Sequence, residues 1–272
     1  NTAAGIIKLG GRAALVTRVS DDAVGRYCVK KLKQYGVETR YVRPVEGPGA
    51  REFRNSLALY ESRVEGHQSV IYRNGAADFQ MDREDIYAVE FGNYGALVTA
   101  GTVFAAEPSR SATFYAFEQA KAYGLPIIFD IDYRPYSWPS AEVAADVLSR
   151  AGAMSDMIVG NDEEFGFMAG SIEKGLDKAR ELARTSANIV IYKMGHKGSI
   201  TTTADGETRS GVFPVNALKP TGAGDSFMAG PLSSLADGKP LEEAVKRGSA
   251  CAAIVVGKPG CAPAMPSNEQ LE

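Results

Sequence analysis

Apolar, strand-like runs that each give way to a helical pattern constrain this chain more than any other feature. The first is Ala13 to Val19, followed by Ser20-Asp-Asp and a helical pattern from Ala23 to Tyr35 that Gly36 closes. Ala96 to Ala100 ends in Gly101, and Glu107-Pro-Ser-Arg110 then opens a helix to Tyr123. Pro108 falls near its first turn, where a missing N–H does no harm. Pro126 to Ile131 is another strand, and Asp156 to Gly160 leads at Asn161 into a helix to about Ala187. Ile189 to Met194 is an apolar strand that enters Gly195-His-Lys-Gly198, with a hairpin turn signal following at Asp205-Gly206. Strands separated by helices run in the same direction, so the reading is α/β with a mostly parallel sheet. With 272 residues, 44% of them hydrophobic, the chain has material for one large core, and a single domain over 1–272 is expected.

Between Gly36 and about Ala77 the texture changes. Thr39 to Val42, Leu57 to Glu61 and Ser69 to Arg73 are short alternating pieces set among Gly, Pro and charged residues, and they predict antiparallel strands. Arg51, Arg54, Arg63 and Arg73 lie here, where a solvated face is the plain reading. A net charge of −3 argues against general nucleic-acid binding, which wants a basic face, and no apolar run approaches the ~20 residues of a membrane span. Cys28, Cys251 and Cys261 form no CxxC pair and read as reduced thiols of a cytoplasmic protein. His67 and His196 are too few for a His-based metal site and read as surface or loop residues. The chain starts at Asn1, without Met, inside what reads as a helix, so a preceding segment is expected.

Chemistry concentrates in Lys219-Pro-Thr-Gly-Ala-Gly-Asp-Ser-Phe-Met-Ala-Gly230. An apolar-leaning segment, Gly211 to Leu218, leads into a Gly-rich turn, and an apolar helix is expected from Asp225. The amides of Gly222, Ala223, Gly224 and Asp225 would sit at that helix's N-terminus, where unpaired N–H groups and the dipole attract an anion. A carboxylate beside an anion site is unfavourable unless it has a task, such as accepting a proton from an attacking group. An ordinary turn with Asp225 as an early helix residue is the alternative reading.

Thr221-Gly-Ala-Gly-Asp225-Ser-Phe resembles the C-terminal signature of the ribokinase-like (PfkB-type) carbohydrate kinases. The resemblance extends over nearly all of the chain. It implies a doubly wound, mostly parallel sheet flanked by helices, with a small antiparallel β lid within about 37–77. It also implies that Gly222, Ala223 and Gly224 form an anion hole for the transferred phosphoryl group and that Asp225 is the catalytic base. Leu9-Gly10 and Asp22-Ala-Val-Gly25 match the family's opening. Asn1 then falls where the family has its sugar-binding Asn, and the preceding Gly-Gly pair and first strand would lie upstream.

Arg73, in Ile71-Tyr-Arg-Asn-Gly-Ala-Ala77, is similar to a segment of acid-sugar kinases whose Arg reaches the substrate. Asp130-Ile-Asp-Tyr-Arg-Pro-Tyr-Ser-Trp138 also resembles such kinases and makes Arg134 a second candidate, although a loop ion pair is the plain alternative. Glu107 and Arg110 are further substrate candidates. Asn161-Asp-Glu-Glu164 is good helix-capping chemistry by itself. By resemblance it is an Asn-x-x-Glu motif whose Glu164 organises Mg²⁺, largely through water. Lys193-Met-Gly-His-Lys-Gly198 is similar to a segment that passes close to ATP, so Asn161, Lys193, Gly195, Gly198 and Thr221 are nucleotide candidates.

The implied cofactors are ATP and Mg²⁺, with a monovalent cation also possible, and the implied assembly is a homodimer through the lid strands. Lys219 departs from the Asp that many members carry two residues before the Thr. Lys219-Pro220 instead resembles the branch that phosphorylates 5-dehydro-2-deoxygluconate in myo-inositol breakdown. A 2-keto-3-deoxygluconate kinase and a sugar- or nucleotide-sensing relative without turnover are the other readings. Pro231, expected in the second turn of the helix after Asp225, has no functional explanation at this level. A last helix, Leu241 to Val256, is rich in small residues that permit close packing, and Gly257 to Cys261 closes it.

Overall fold

A computed structural model of the chain describes every residue except 62–64 and 67, so Arg63 and His67 lie outside the described residues. The chain divides into two compact units, residues 1–78 with 211–272, and residues 79–210. The first part of unit 1 holds helix α1 (Thr2–Lys8), strand β1 (Thr17–Val19), α2 (Ala23–Gln34), β2 (Val42–Pro44), β3 (Leu57–Tyr60) and β4 (Ser69–Tyr72). Asp22 caps α2 by accepting hydrogen bonds from the Val24 and Gly25 amides.

The run 13–19 is a strand only from Thr17, preceded by a single bridge of Ala14 to Glu38. β2 pairs in parallel with β1, Thr17 opposite Val42, so the piece expected at 39–42 is not an antiparallel lid strand. The cause is α2, a helical crossover that brings the chain back in its original direction. β3 and β4 do form the antiparallel ribbon, Leu57 opposite Tyr72. It exposes Leu57, Leu59, Tyr60, Val70 and Tyr72.

Unit 2 is built on a six-stranded sheet of order β10-β9-β8-β7-β6-β5. Its elements are α3 (Arg83–Tyr87), β5 (Leu97–Ala100), α4 (Ser109–Ala122), β6 (Ile127–Asp130), α5 (Ala141–Ala153), β7 (Met157–Asn161), α6 (Asp162–Met168), α7 (Gly175–Thr185), β8 (Ile189–Lys193), β9 (Ser199–Thr203) and β10 (Gly206–Ser210). β5 to β8 are mutually parallel, while β9 and β10 are antiparallel additions. Strands covered on both faces read as unbroken apolar runs, and Ile127-Ile-Phe129, Met157-Ile-Val159 and Val190-Ile191 are all buried. Phe104 packs at ring distances of 4.9, 5.7 and 6.0 Å from Phe114, Phe117 and Phe129. The helix expected to run from 161 to about 187 is two helices, α6 and α7, because Gly170 takes a positive φ of 74° between them. The hairpin expected at Asp205-Gly206 joins β9 to β10, Thr203 opposite Gly206.

The chain returns to unit 1 through residues 211–218, which are exposed and carry no regular element. α8 (Ala223–Ala236) and α9 (Leu241–Val256) complete it. α8 starts at Ala223 rather than Asp225, so Pro231 falls in its third turn, not the second. Pro231 has a packing role that the sequence hid. A Cβ on Gly230 would lie 2.6 Å from Gly248 Cα, and one on Gly248 would lie 2.8 Å from both Pro231 Cδ and the Phe227 carbonyl. The two helices therefore touch backbone to backbone. The Phe227 oxygen, which Pro231 leaves without its ordinary i+4 amide donor, faces the α9 backbone.

Candidate active site

In unit 1 the glycine turn delivers α8. Gly222 is the N-cap residue at φ 90°, a left-handed conformation that favours glycine. A Cβ there would also lie 3.1 Å from both Cys261 Sγ and Val255 Cγ1. No side chain caps α8, whereas Asp22, Asp82, Ser140 and Asn161 cap α2, α3, α5 and α6. An uncapped, glycine-led helix start is suited to an external anion. Ala223 N–H donates to the Pro220 carbonyl at 3.3 Å, so that amide serves the turn itself.

Asp225, the third residue of α8, is held at both oxygens. Asn1 Nδ2 donates to Oδ2 and Thr2 Oγ1 to Oδ1, each at 3.0 Å. Asn1 is the N-cap residue of α1, so that helix start aims both donors at the carboxylate. Both donors are uncharged, which orients Asp225 without neutralising it. Thr2 carried no signal in the sequence beyond its place after Asn1. Lys219 is 1% exposed, and its Nζ donates to the carbonyls of Thr221 at 2.5 Å and Val255 at 3.3 Å. Arg73 is ion-paired with Asp78, which also accepts from Ser56 Oγ at 2.6 Å, so its guanidinium is engaged within the lid region.

In unit 2 the exits of β6, β7 and β8 gather the polar residues. β6 ends at Asp130, and Asp132 takes φ 34°, the one positive value at a non-glycine among the described residues. Arg134 Nη2 lies 2.6 Å from Asp132 Oδ1, Nη1 donates to the Tyr133 carbonyl at 2.8 Å, and Nη1 stands 3.8 Å from Glu164 Oε1. The loop ion pair is therefore real, and it extends to Glu164. Asn161 and Glu164 form a reciprocal capping box, with Asn161 Oδ1 accepting from the Glu164 amide and Glu164 Oε2 from the Asn161 amide, both at 2.8 Å.

Register places Lys193 of β8 opposite Asn161 of β7. Burial pushes the Glu164 carboxyl up from its ordinary value. Lys193, the Asn161 amide and Arg134 oppose this, Asp132 adds to it, and the net shift is upward. Gly195 and Gly198 take φ of 56° and 86° around a 3-10 turn that leaves His196 exposed.

The other two polar candidates of unit 2 are occupied locally. Glu107 is exposed and accepts from the Ser111 amide at 3.1 Å, at the start of α4. Arg110 donates from Nε to the Phe104 carbonyl at 2.7 Å and from Nη2 to Ala105 at 3.1 Å. It thereby satisfies the carbonyls of the 3-10 turn Gly101–Ala105.

No group of three or more His, Cys, Asp or Glu residues is arranged to hold a metal among the described residues. One buried carboxylate with a remaining oxygen suits Mg²⁺, which keeps several waters and is bound with substrate phosphates rather than in a protein cage.

A six-stranded α/β sheet, a small antiparallel ribbon and a glycine-led helix beside a fixed carboxylate define a ribokinase-like kinase. The pattern of the pfkB family carbohydrate kinases matches residues 1–268. The chain belongs to that family and is an ATP-dependent sugar kinase. It is 36% identical over 277 residues to a protein of Geobacillus thermodenitrificans named 5-dehydro-2-deoxygluconokinase, covering 100% of this chain and 81% of that one. A protein of the same name from Photobacterium profundum is 35% identical, with 100% and 82% covered. Among solved structures, a fructokinase from Vibrio cholerae O395 with fructose, ADP and calcium ion bound superposes at a TM-score of 0.87 and 25% identity, covering 99% of this chain and 87% of that one. An aminoimidazole riboside kinase from Salmonella enterica shares the fold at a TM-score of 0.84 and 21% identity, covering 100% and 88%. No helix is long and apolar enough to cross a membrane among the described residues.

Proposed function

We propose that this kinase phosphorylates a primary hydroxyl of an acidic sugar, 5-dehydro-2-deoxygluconate, as a cytoplasmic enzyme with a single kinase domain. The observation that carries the chemistry is Asp225, held by Asn1 and Thr2 in the first turn of an uncapped α8. The relatives named for this sugar, matched over the whole chain, support the substrate.

Asp225 accepts the proton of the attacking hydroxyl, and Asn1 and Thr2 keep its lone pairs in position for that transfer. The main chain from Gly222 through Ala223 and Gly224 to Asp225 stabilises the transferred phosphoryl group through the field of the helix start. Phosphoryl transfer needs little covalent help, so positioning and charge stabilisation suffice. Asn161, Lys193, Gly195, Gly198 and Thr221 serve the nucleotide. Glu164 orders the water of a Mg²⁺ ion, which when bound offsets phosphate charge.

Arg134 is the strongest candidate for the acid group of the sugar. Its side chain is 38% exposed, and Asp132 and Tyr133 engage only two of its five N–H donors. Arg73, Glu107, Arg110 and Asn1 are secondary substrate contacts. Exposed Leu57, Leu59 and Tyr72 on the lid ribbon support a homodimer formed by two copies of that ribbon.

The deciding experiment measures kcat/KM for 5-dehydro-2-deoxygluconate, 2-keto-3-deoxygluconate, ribose and fructose. The first is expected to lead, with the second nearest. Neutral sugars that match the acids would overturn the acidic-substrate reading. Light scattering that finds only monomer would overturn the dimer.

A further inference from the structure

Lys219 brings a long cationic side chain into full burial without a carboxylate partner among the described residues. Burying a charge is costly, and an apolar side chain of similar size would fill the same space. We propose that its ammonium is a built-in monovalent cation that fixes the glycine turn for phosphoryl transfer, so that no free monovalent ion is needed there. The inference rests on the kinase reading and assigns Lys219 a positioning role.

Both acceptors are main-chain carbonyls. A single positive charge held by neutral backbone oxygens is the arrangement that also binds a potassium ion. The Val255 carbonyl belongs to the last turn of α9, the negative end of that helix, where a cation is stabilised. The rest of the segment closes the same helix end, since the Leu218 and Lys219 amides donate to the Val256 carbonyl at 2.8 and 3.2 Å.

The other acceptor, Thr221, shares a peptide plane with the Gly222 N–H. Carbonyl and N–H of one trans peptide point in opposite directions. Holding the Thr221 oxygen on Lys219 therefore sets the direction of the Gly222 N–H. Val255 packs on the same turn, its Cγ1 being 3.1 Å from where a Gly222 Cβ would stand. Lys219 thus ties the end of α9 to the start of α8, and its charge adds to the field that favours a phosphoryl group.

The test uses wild type, Lys219→Met and Lys219→Ala, assayed with ATP and 5-dehydro-2-deoxygluconate in buffers with sodium, potassium or ammonium as the sole monovalent cation. Wild-type turnover is expected to be equal in all three. Lys219→Met should lose about 10- to 100-fold in kcat, the scale of a small misplacement at a reacting centre, with KM for the sugar changed less than about twofold. Lys219→Ala leaves two bare carbonyls and room for an ion. Its thermal midpoint should rise with potassium or ammonium, and its turnover should partly recover, whereas wild type shows neither effect.

A wild type that needs potassium, a folded Lys219→Met with unchanged kcat, or a Lys219→Ala blind to added cations would overturn the proposal. Failure of wild type to phosphorylate any sugar counts against the kinase reading alone, because the thermal measurement reads the cation site without turnover.

Discussion

Thr2 donates its hydroxyl to Asp225 Oδ1 at 3.0 Å, although 223 positions of sequence separate the two residues. Asn1 holds the other oxygen, so the carboxylate is fixed by the first turn of a helix distant in sequence.

Asp225→Asn is expected to remove the acceptor of the hydroxyl proton while keeping the shape of the site. Loss of a general base typically costs 10²–10⁴-fold in rate. Calorimetry should find ATP binding little changed. A variant that keeps more than about a tenth of wild-type kcat would remove Asp225 from the role of base.

Thr2→Val deletes one of the two orienting donors and leaves the volume nearly unchanged. A smaller loss follows, about five- to thirtyfold in kcat, which corresponds to about 1–2 kcal/mol for one hydrogen bond to a carboxylate. KM for the sugar should hardly move. Equal losses in kcat and affinity would mean that Thr2 contacts the substrate instead.

Glu164→Gln separates two tasks of one residue. Glutamine at the third position of a helix still completes a capping box, so the cap of α6 should survive. The Mg²⁺ concentration needed for half-maximal rate should rise, because the remaining amide orders metal waters less well than a carboxylate. An unchanged Mg²⁺ titration would leave Glu164 as a cap alone.

The same substitution has a pH signature. Burial raises the Glu164 carboxyl above its ordinary 4.5, so the folded state holds a proton that the unfolded chain has already released. Any stability from this group is then complete below the unfolded value and is lost as pH rises through the folded value. Glu164→Gln should gain thermal midpoint relative to wild type as pH climbs from about 4.5, and the gap should close in more acidic buffer. A gap that widens on acidification would reverse the sign.

Gly230→Ala tests the contact between α8 and α9. Its methyl would stand 2.6 Å from Gly248 Cα, and backbone cannot swing aside as a flexible side chain does. Overpacking of this kind costs about 1–3 kcal/mol, measurable as a lower denaturant midpoint. A variant as stable as wild type would show that the helices part without strain.

Much of the fold is legible because α/β periodicity is local. α9 runs from Leu241 to Val256 as its pattern indicates, and the strands from β5 to β8 lie within a residue or two of their apolar runs. The capping pair Asn161 and Glu164 is legible for the same reason, being three residues apart. Pairing across the chain is not. Nothing near Asn161 announces Lys193, which register alone sets beside it, and Thr2 is invisible until α1 and α8 have met. Arg110 illustrates another limit. Its donation to carbonyls of an adjacent 3-10 turn depends on a local fold that the apolar pattern does not reveal.

The order of assembly follows from where the parts of unit 1 lie along the chain. Residues 1–78 and 211–272 form one unit, and about 130 residues of unit 2 lie between them. At about 5–20 residues per second, a ribosome takes on the order of ten seconds to make that stretch. Asn1 and Thr2 thus emerge long before their carboxylate exists, while the contiguous unit 2 has everything its sheet requires. The nascent chain can finish its middle before its beginning, and Asp225 meets its donors only after unit 2 has been made.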